Sequence, residues 1–229
     1  MPSSSAAPKL VLAPELRARL VPLERLEERR PLRATGLPAL DELLGGGWPR
    51  GALAEISGRR SSGRTAVVLA ALAKAIAAGE ATALVDAGGA FDPRAAAAAG
   101  VTLPALLWIR CAPSEALKAA DLVVAAGGFG LVVLDLCDAK LRVPDAAWVR
   151  LQHGARGAGT TVLVAAAARA LGTFAAAAVE LGDVAPAFLV DGPPLWAGLG
   201  VRATRVRDRR AIARGEGVRC VSLAFTCRS

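Results

Sequence analysis

The sequence predicts an α/β fold in which a mainly parallel β-sheet carries helices on both faces and ends in an antiparallel C-terminal edge. Three observations predict it. Short apolar segments with strand character alternate with longer helical segments along most of the chain. One strand runs directly into a glycine-rich loop and then into an apolar helix. Another strand ends in Asp135, where a carboxylate at the tip of a buried strand can order Mg²⁺.

The first 32 residues are predicted to form a short helical arm, and residues 33–229 a single core domain. Pro14 suits the first turn of a helix, and Pro22 breaks or restarts it. Leucines recur at spacings of three and four residues, as on the apolar face of a helix: Leu16, Leu20, Leu23 and Leu26. Residues 24–33 are highly charged, which fits a solvated helix and a partner-binding arm equally well.

The core elements follow in order from residue 33. A turn and short helix at residues 35–44 end at three consecutive glycines, and a Pro-Arg-Gly turn leads into the first central strand. The alternating strands are predicted at 53–57, 81–86, 105–110, 131–136 and 160–166, and the helices at 66–78, 93–99, 113–126 and 145–156. Short turns join the last three strands, which are predicted at 187–190, 201–207 and 219–225 and form the antiparallel edge.

Residues 160–179 form the most membrane-like stretch and are mostly alanine. Arg169, Gly172 and Thr173 interrupt it, so it fits a buried strand followed by a helix better than a transmembrane span. The polar start of the chain lacks the pattern of a secretory signal. We therefore expect a cytoplasmic protein without membrane contact.

The composition excludes some classes of function. The four cysteines form no C-x-x-C pair and His153 is the single histidine, so neither a zinc site nor a disulfide framework is expected. The net charge of +8 fits a weak, salt-sensitive attraction to DNA or to an acidic protein. Only four of the 28 basic residues are lysine. Abundant arginine and alanine are typical of a GC-rich genome, so part of this basicity reflects codon usage.

The glycine-rich loop matches the phosphate-loop pattern G-x-x-x-x-G-K-[ST], except that arginine replaces the lysine. Its backbone N–H groups are expected to surround a phosphate at a helix N-terminus. Arginine keeps the charge but is a broader, planar group that fits the place of lysine poorly. The candidate nucleotide-binding residues are Gly58, Ser61, Ser62, Gly63, Arg64 and Thr65 in the loop, with Asp135 and the Thr65 hydroxyl as metal ligands.

The succession of motifs resembles bacterial RecA recombinases. Thr35-Gly36 and Leu40-Asp41 precede the loop, and the segment 84–93 follows it with Asp86 and Asp92-Pro93. The resemblance is good over residues 33–136 and looser beyond them. Several motifs in one order make it more specific than a single glycine loop.

The departures from that family pattern concern catalysis. The resemblance implies a glutamate that polarises the attacking water, but its place is taken by Gly88 or Gly89. The ring that stacks on adenine falls near Ala95, and alanines stand where the strand at 160–166 should end in a glutamine. The two DNA-binding loops of the family are missing or reshaped. Three readings stay open: a plain strand-to-helix turn without nucleotide, nucleotide binding without turnover, and a true ATPase.

A shortened, degenerate RecA-like chain is similar to the ImuA-type proteins of the bacterial SOS mutagenesis cassette. That resemblance implies no working cofactor beyond a vestigial Mg-ATP site. It also implies an accessory role in translesion synthesis after DNA damage, with two partners: RecA itself, and a mutasome subunit related to Y-family polymerases. RecA protomers assemble head to tail, so a paralogue that keeps one docking face and loses the other would cap or break the filament.

The predicted partner-binding residues lie at both ends of the chain: Leu16, Leu20, Leu23, Leu26, Arg202, Arg205, Arg207, Arg209 and Arg210. By the period of two in a strand, Arg205, Arg207 and Arg209 are expected on one face. The alternative is a solvated edge strand, where arginine discourages aggregation. Three other functions stay open: a DNA-dependent ATPase of the recombinase class, a cell-division inhibitor of the SulA type, and a DNA-binding module.

Overall fold

The computed structural model describes residues 30–138, 143–188 and 195–226. The arm leucines at positions 16, 20, 23 and 26 lie outside the described residues, so the predicted arm helix stays a prediction. The strands are β1 (Leu32–Arg33), β2 (Trp48–Pro49), β3 (Ala52–Gly58), β4 (Ala81–Asp86), β5 (Leu106–Arg110), β6 (Phe129–Cys137), β7 (Thr161–Ala166), β8 (Ala177–Phe188), β9 (Trp196–Asp208) and β10 (Arg219–Thr226). The α-helices are α1 (Pro38–Leu43), α2 (Arg64–Ala77), α3 (Pro93–Ala98), α4 (Ala116–Ala126), α5 (Asp145–Ala158) and α6 (Arg209–Ala213).

An eight-stranded sheet runs through the core in the order β10-β9-β8-β3-β7-β6-β4-β5. The strands from β8 to β5 pair in parallel, and β9 and β10 add an antiparallel edge. β1 and β2 form a separate antiparallel pair. The predicted fold class, an α/β fold with a mainly parallel sheet and an antiparallel C-terminal edge, is confirmed.

Two apolar clusters cover the two faces of the sheet. One packs α1, α2 and α3 against alternate residues of the strands, such as Ile56 and Val133. The other packs α4 and α5 against the opposite set, such as Leu53 and Val132. All seven residues of β3 are buried, as expected for a parallel strand covered on both sides. None of the helices in the described ranges is long and apolar enough to span a bilayer.

The alanine-rich segment departs from its prediction. A helix was expected before residue 179, but β8 begins at Ala177, and only one 3₁₀ turn, Gly172–Phe174, precedes it. Alanine favours helices over strands, so the local sequence indicated the wrong element. The strand forms because Ala177 and Ala178 pair with β3 and are buried between the layers. The separate strand predicted at 187–190 is the distal end of this long β8 as far as Phe188.

The predicted arginine face is also wrong. β9 ends at Asp208 and Arg209 begins α6, so Arg209 is not on the strand with Arg205 and Arg207. A register shift against β8 between Ala178 and Val179 further breaks the alternation.

The side chain of Arg205 is 3% exposed and lies in contacts within the chain. It donates to the carbonyls of Leu43 and Gly217 and forms ion pairs with Asp208 and Glu216. Hydrogen bonds from Arg214 and, to a lesser extent, Arg205 lower the pKa of Glu216 to about 2. Arg205 therefore anchors the connection between β9 and β10 and is not exposed to a partner.

A buried ion cluster joins β1, β2 and the turn before β4. The buried Arg33 guanidinium contacts the carboxylate of Glu80, which also accepts from Arg50 at 2.5 Å. Burial alone would raise the pKa of Glu80, but the hydrogen bonds from Arg50 and Arg33 outweigh it and lower that pKa. Gly130 is required beside them because a Cβ there would overlap the Glu80 carboxylate.

Replacing Glu80 with alanine is expected to lower the free energy of unfolding by about 3 kcal/mol, because Arg33 is left buried without a counter-charge. Urea denaturation followed by circular dichroism measures the change. Glu42→Ala is the matched control, since Glu42 is exposed and has no ion pair among the described residues. Equal denaturation midpoints for the two variants would contradict the assigned role of Glu80.

The same carboxylate gives the stability a pH dependence with a defined sign. Its folded pKa lies below the ordinary value of 4.5, so the ion cluster stabilises the fold fully above about pH 4.5 and loses this contribution as the pH falls through the folded value. We expect the wild-type protein to lose more stability than Glu80→Ala between pH 5 and pH 3. Urea titrations at several pH values across about this range test the slope.

Candidate nucleotide site

The glycine-rich loop lies between β3 and α2, as the sequence predicts. Gly63 is the N-cap residue of α2 and has a φ of 82°, in the left-handed region that favours glycine. A Cβ at Gly63 would also lie 2.7 Å from the ring of Phe225 on β10. At Gly58, a Cβ would overlap the Ser62 hydroxyl. The two glycines of the motif are thus required by local packing as well as by the turn.

The loop keeps features that suit a phosphate. Its backbone leads into the N-terminus of α2, which is 14 residues long and offers N–H groups and a positive helix dipole. The Ser62 side chain lines the cleft over the loop, and its hydroxyl is buried without a hydrogen-bond partner in the described structure. Such an orphaned hydroxyl is uncommon in a folded protein and fits a polar ligand.

The charge of the loop is largely satisfied within the chain. Arg64, at the lysine position, donates to the carbonyl of Gly58 at 2.6 Å and lies 3.5 Å from the carboxylate of Asp138. Arg60 donates to the same carboxylate at 2.6 Å. Asp138 therefore neutralises cations that would otherwise face a phosphate, and it adds a negative charge to the cleft wall. An incoming phosphate must compete with this carboxylate.

Asp135 lies at the end of β6, where the sequence predicts a metal ligand. Burial raises the pKa of Asp135, against the opposing effects of a 2.9 Å hydrogen bond from the Cys137 amide and the charge of Arg64. The Thr65 hydroxyl is exposed at the start of α2. A search of the described residues finds no group of three or more potential metal ligands. The loop therefore fits a phosphate better than the site as a whole fits a bound metal ion.

Position 88, one of the two places predicted for the catalytic glutamate, is blocked by Cys137. A Cβ at Gly88 would lie 2.7 Å from the Cβ and 2.8 Å from the sulfur of Cys137. Real Cβ atoms do not approach other atoms so closely, so a carboxylate side chain at position 88 would displace Cys137. Cys137 itself has a φ of 52°, a strained conformation for a side chain with a Cβ. Cys137 thus leaves no room for a side chain at position 88, whereas a Cβ at Gly89, which has a φ of 63°, would lie 3.7 Å from the Arg110 guanidinium.

The end of β7 carries alanines. The strand ends in Ala165 and Ala166, and the Ala167 N–H donates to the Cys137 carbonyl at 3.0 Å. A backbone hydrogen bond therefore links this strand end to β6. Alanines stand where the resemblance to RecA recombinases implies a glutamine.

The loop forms one wall of a cleft of about 550 Å³. The opposite parts of the cleft are formed by Cys137, Asp138, Trp196 and Leu199. Sequence reasoning missed these four as site residues. Cys137 and Asp138 follow Asp135 by two and three positions, which is the signal that could have found them. Trp196 and Leu199 lie in a part of β9 that carries no motif.

The predicted stacking position, Ala95, is exposed on α3 and has no ring. It lines a second, largely apolar groove of about 600 Å³, together with α2 and Phe225. Of the predicted partner-binding arginines, Arg202 is exposed and paired with Asp183 at 3.1 Å. The others are less exposed: Arg207, Arg209 and Arg210 are half-buried and Arg205 is buried.

Known proteins similar to this chain agree with the fold. Residues 24–171 match the family model of the RecA N-terminal domain. Over 113 residues the chain is 45% identical to the protein RecA of Clavibacter michiganensis subsp. michiganensis (strain NCPPB 382) and to that of Nocardia farcinica (strain IFM 10152). These alignments cover 48% of this chain and 31% and 33% of the two relatives. The matched part thus spans about a third of the length of these curated relatives.

A crystal structure of the RadB recombinase has the same fold, with a TM-score of 0.61 over 84% of this chain and 94% of that chain. Its sequence identity of 21% supports the fold alone. The match to the family model, in contrast, spans more than half of the chain. The protein therefore belongs to the RecA N-terminal domain family.

Proposed function

We propose that this protein is an accessory factor of DNA repair that binds RecA and inhibits or caps its filament, and that it does not use ATP hydrolysis. The observation that carries the proposal is the contact between Gly88 and Cys137, which leaves no room for a carboxylate side chain at position 88 beside the nucleotide cleft. A member of the family that cannot hydrolyse ATP efficiently is expected to act through the surfaces it offers to other proteins.

The loss of catalysis has two parts. Removing a general base lowers a rate by roughly 10² to 10⁴. The Arg64 guanidinium bonds to Gly58 and faces Asp138, so the electrostatic stabilisation of a transferring phosphoryl group is weakened as well. Phosphate binding through the loop backbone and Ser62 is compatible with both losses. The nucleotide site is thus proposed to be vestigial, with weak binding and no useful turnover.

Capping follows from the geometry of head-to-tail assembly. Each protomer in such a filament uses two different faces, and growth needs both on every protomer. A relative that keeps one face can occupy the end of a filament and stop its growth. The arm leucines and the exposed Arg202 remain the predicted contacts for this role.

The finer setting of the function rests on the resemblance to ImuA-type proteins. We propose a role in SOS-induced translesion synthesis, with a mutasome subunit related to Y-family polymerases as the second partner. Weak DNA binding by the basic surface accompanies this role in the proposal, because the net charge is +8. Both partners are implied by the same resemblance, so binding to RecA is the first part of this role to test.

Wild-type protein is expected to hydrolyse ATP at no more than the background rate, with or without single-stranded DNA. The triple variant Arg64→Lys/Gly88→Glu/Cys137→Gly is expected to exceed it by at least about 10-fold, since a positioned base contributes 10² or more. Glycine at 137 removes the Cβ that blocks residue 88 and relieves the strained φ. A coupled assay of phosphate release measures the rates.

The matched control is the double variant Arg64→Lys/Gly88→Glu, which keeps Cys137 and should remain inactive. Thermal unfolding of both variants shows that they are folded. Efficient DNA-stimulated hydrolysis by the wild-type protein would overturn the proposal of a vestigial site and favour the DNA-dependent ATPase.

Near-stoichiometric amounts of the protein are expected to shorten or dissolve preformed RecA filaments on single-stranded DNA in ATP. Light scattering gives the time course, and electron microscopy gives the length distribution. A chain that begins at residue 30 should lose most of the effect if the arm leucines carry the contact.

The control for that truncation is an alanine substitution of an exposed residue in the core domain, such as Glu42→Ala. Filaments of unchanged length at every concentration would refute inhibition of RecA as the function. Binding to the tubulin-like division protein in place of RecA would identify the SulA-type alternative.

A further inference from the structure

One end of the sheet carries an unusual extension. β8 pairs with β3 only from Ala177 to Leu181, so its later residues pair with β9 alone. We name residues 182–188 and 195–200 the aromatic hairpin. Residues 189–194 between its strands lie outside the described part of the chain. The hairpin thus extends past β3, and β10 pairs with only its last three residues, Gly198 to Gly200.

The aromatic hairpin exposes apolar side chains that the fold does not use. Trp196 is 53% exposed and pairs directly with Phe188, which is 52% exposed. Val184 and Leu195 on the same hairpin are 42% and 58% exposed. Single exposed apolar residues are common, but four of them on one short hairpin make it a candidate interaction site. Of the four tryptophans, Trp48 and Trp148 are buried and Trp108 is half-buried, so Trp196 is the most exposed.

Three arginines and two aspartates lie around this apolar group: Arg59, Arg60, Arg202, Asp138 and Asp183. Trp196 lines the same cleft as Arg59 and Arg60. Arg60 is paired with Asp138 and Arg202 with Asp183, whereas Arg59 is exposed and forms no ion pair within the described structure. A partner that covers the hairpin therefore meets an apolar centre whose basic margin is the exposed, unneutralised Arg59. A second copy of this chain, at a net charge of +8, is a poor match for that margin.

We propose that the aromatic hairpin is a docking surface that inserts Trp196 and Phe188 into an apolar pocket rimmed by carboxylates on a partner protein. The inference rests on the proposed function, under which this partner is the RecA protomer at the end of a filament. It adds a surface that neither the arm leucines nor the predicted arginines include.

Two physical features make the hairpin suitable as an anchor. Tryptophan and other large side chains at the centre of an interface often carry most of its binding energy. Backbone pairing of Phe188 with Trp196 fixes the positions of the two residues before binding, so less backbone entropy is lost on docking. The basic margin is expected to act mainly on the association rate, which then depends on salt.

The test measures binding of the full chain to RecA filaments on immobilised single-stranded DNA by biolayer interferometry. Phe188→Ser/Trp196→Ser is expected to weaken binding at least about 30-fold, the effect typical of an interface hot spot. Leu122→Ser/Val149→Ser is the matched control, because both residues are exposed apolar side chains on α4 and α5, away from the hairpin. Arg59→Glu should slow association and reduce its dependence on salt.

The outcomes separate this inference from the function on which it rests. If wild-type protein and the hairpin variant bind equally well, the hairpin is not the docking surface, although RecA binding stands. If wild-type protein does not bind RecA, both proposals fall. Equal loss in the hairpin variant and the control variant would also overturn the assignment. Loss of binding to bare single-stranded DNA, with RecA binding retained, would show a nucleic-acid surface instead.

A second measurement follows Trp196 in the wild-type protein and needs a substitution only to assign its signal. The chain is labelled with 5-fluorotryptophan and its ¹⁹F spectrum is recorded with and without unlabelled RecA. The Trp196 signal, assigned with Trp196→Phe, is expected to shift and lose its sensitivity to solvent on binding. The signals of the buried Trp48 and Trp148 should stay in place. A Trp196 signal that remains solvent-sensitive in a complex with RecA would refute the insertion.

Discussion

The parallel pairing of β3 with β7 on one side and β8 on the other is the constraint on which the rest of the structure depends. It buries every residue of β3 and fixes where its last residue, Gly58, delivers the chain to the phosphate loop. The same pairing ends on β8 at Leu181, directly beside Gly58. β3 therefore leads into the phosphate loop and also pairs with β8, the strand that carries the antiparallel edge and the aromatic hairpin.

The chemistry of the site is decided by the neighbouring strands β4 and β6. Asp86 and Asp135 are paired in register, so the residues that follow them meet over the cleft. The Cys137 side chain occupies the space beside Gly88, and Asp138 forms ion pairs with Arg60 and Arg64. The site therefore keeps the glycine turn of a phosphate loop, while its charged side chains pair with groups of the same chain.

The parts of the fold that follow from local pattern could be predicted from the sequence. The apolar run before Asp135 and the loop before α2 have one sensible interpretation each, because burial on both faces and a glycine turn leave few alternatives. The strand that contains Ala177 could not, since alanine favours a helix and only pairing with β3 overrides that preference. Arg205 was likewise misjudged, because its burial depends on Asp208 and Glu216 and not on the period of the strand.

The candidate site could likewise be predicted only in part from the sequence. The absence of a glutamate is visible at Gly88, but the obstruction by Cys137 depends on the register between β4 and β6, which the sequence does not show. Gly58 and Gly63 are held by contacts with Ser62 and Phe225, so the fold needs both glycines even without a nucleotide. Packing can therefore retain both glycines whether or not a nucleotide binds. In this chain the glycines of the loop match the pattern of RecA recombinases, whereas Gly88 after β4 departs from it, so the residues after the strands bear more directly on the proposal of a vestigial site than the glycines do.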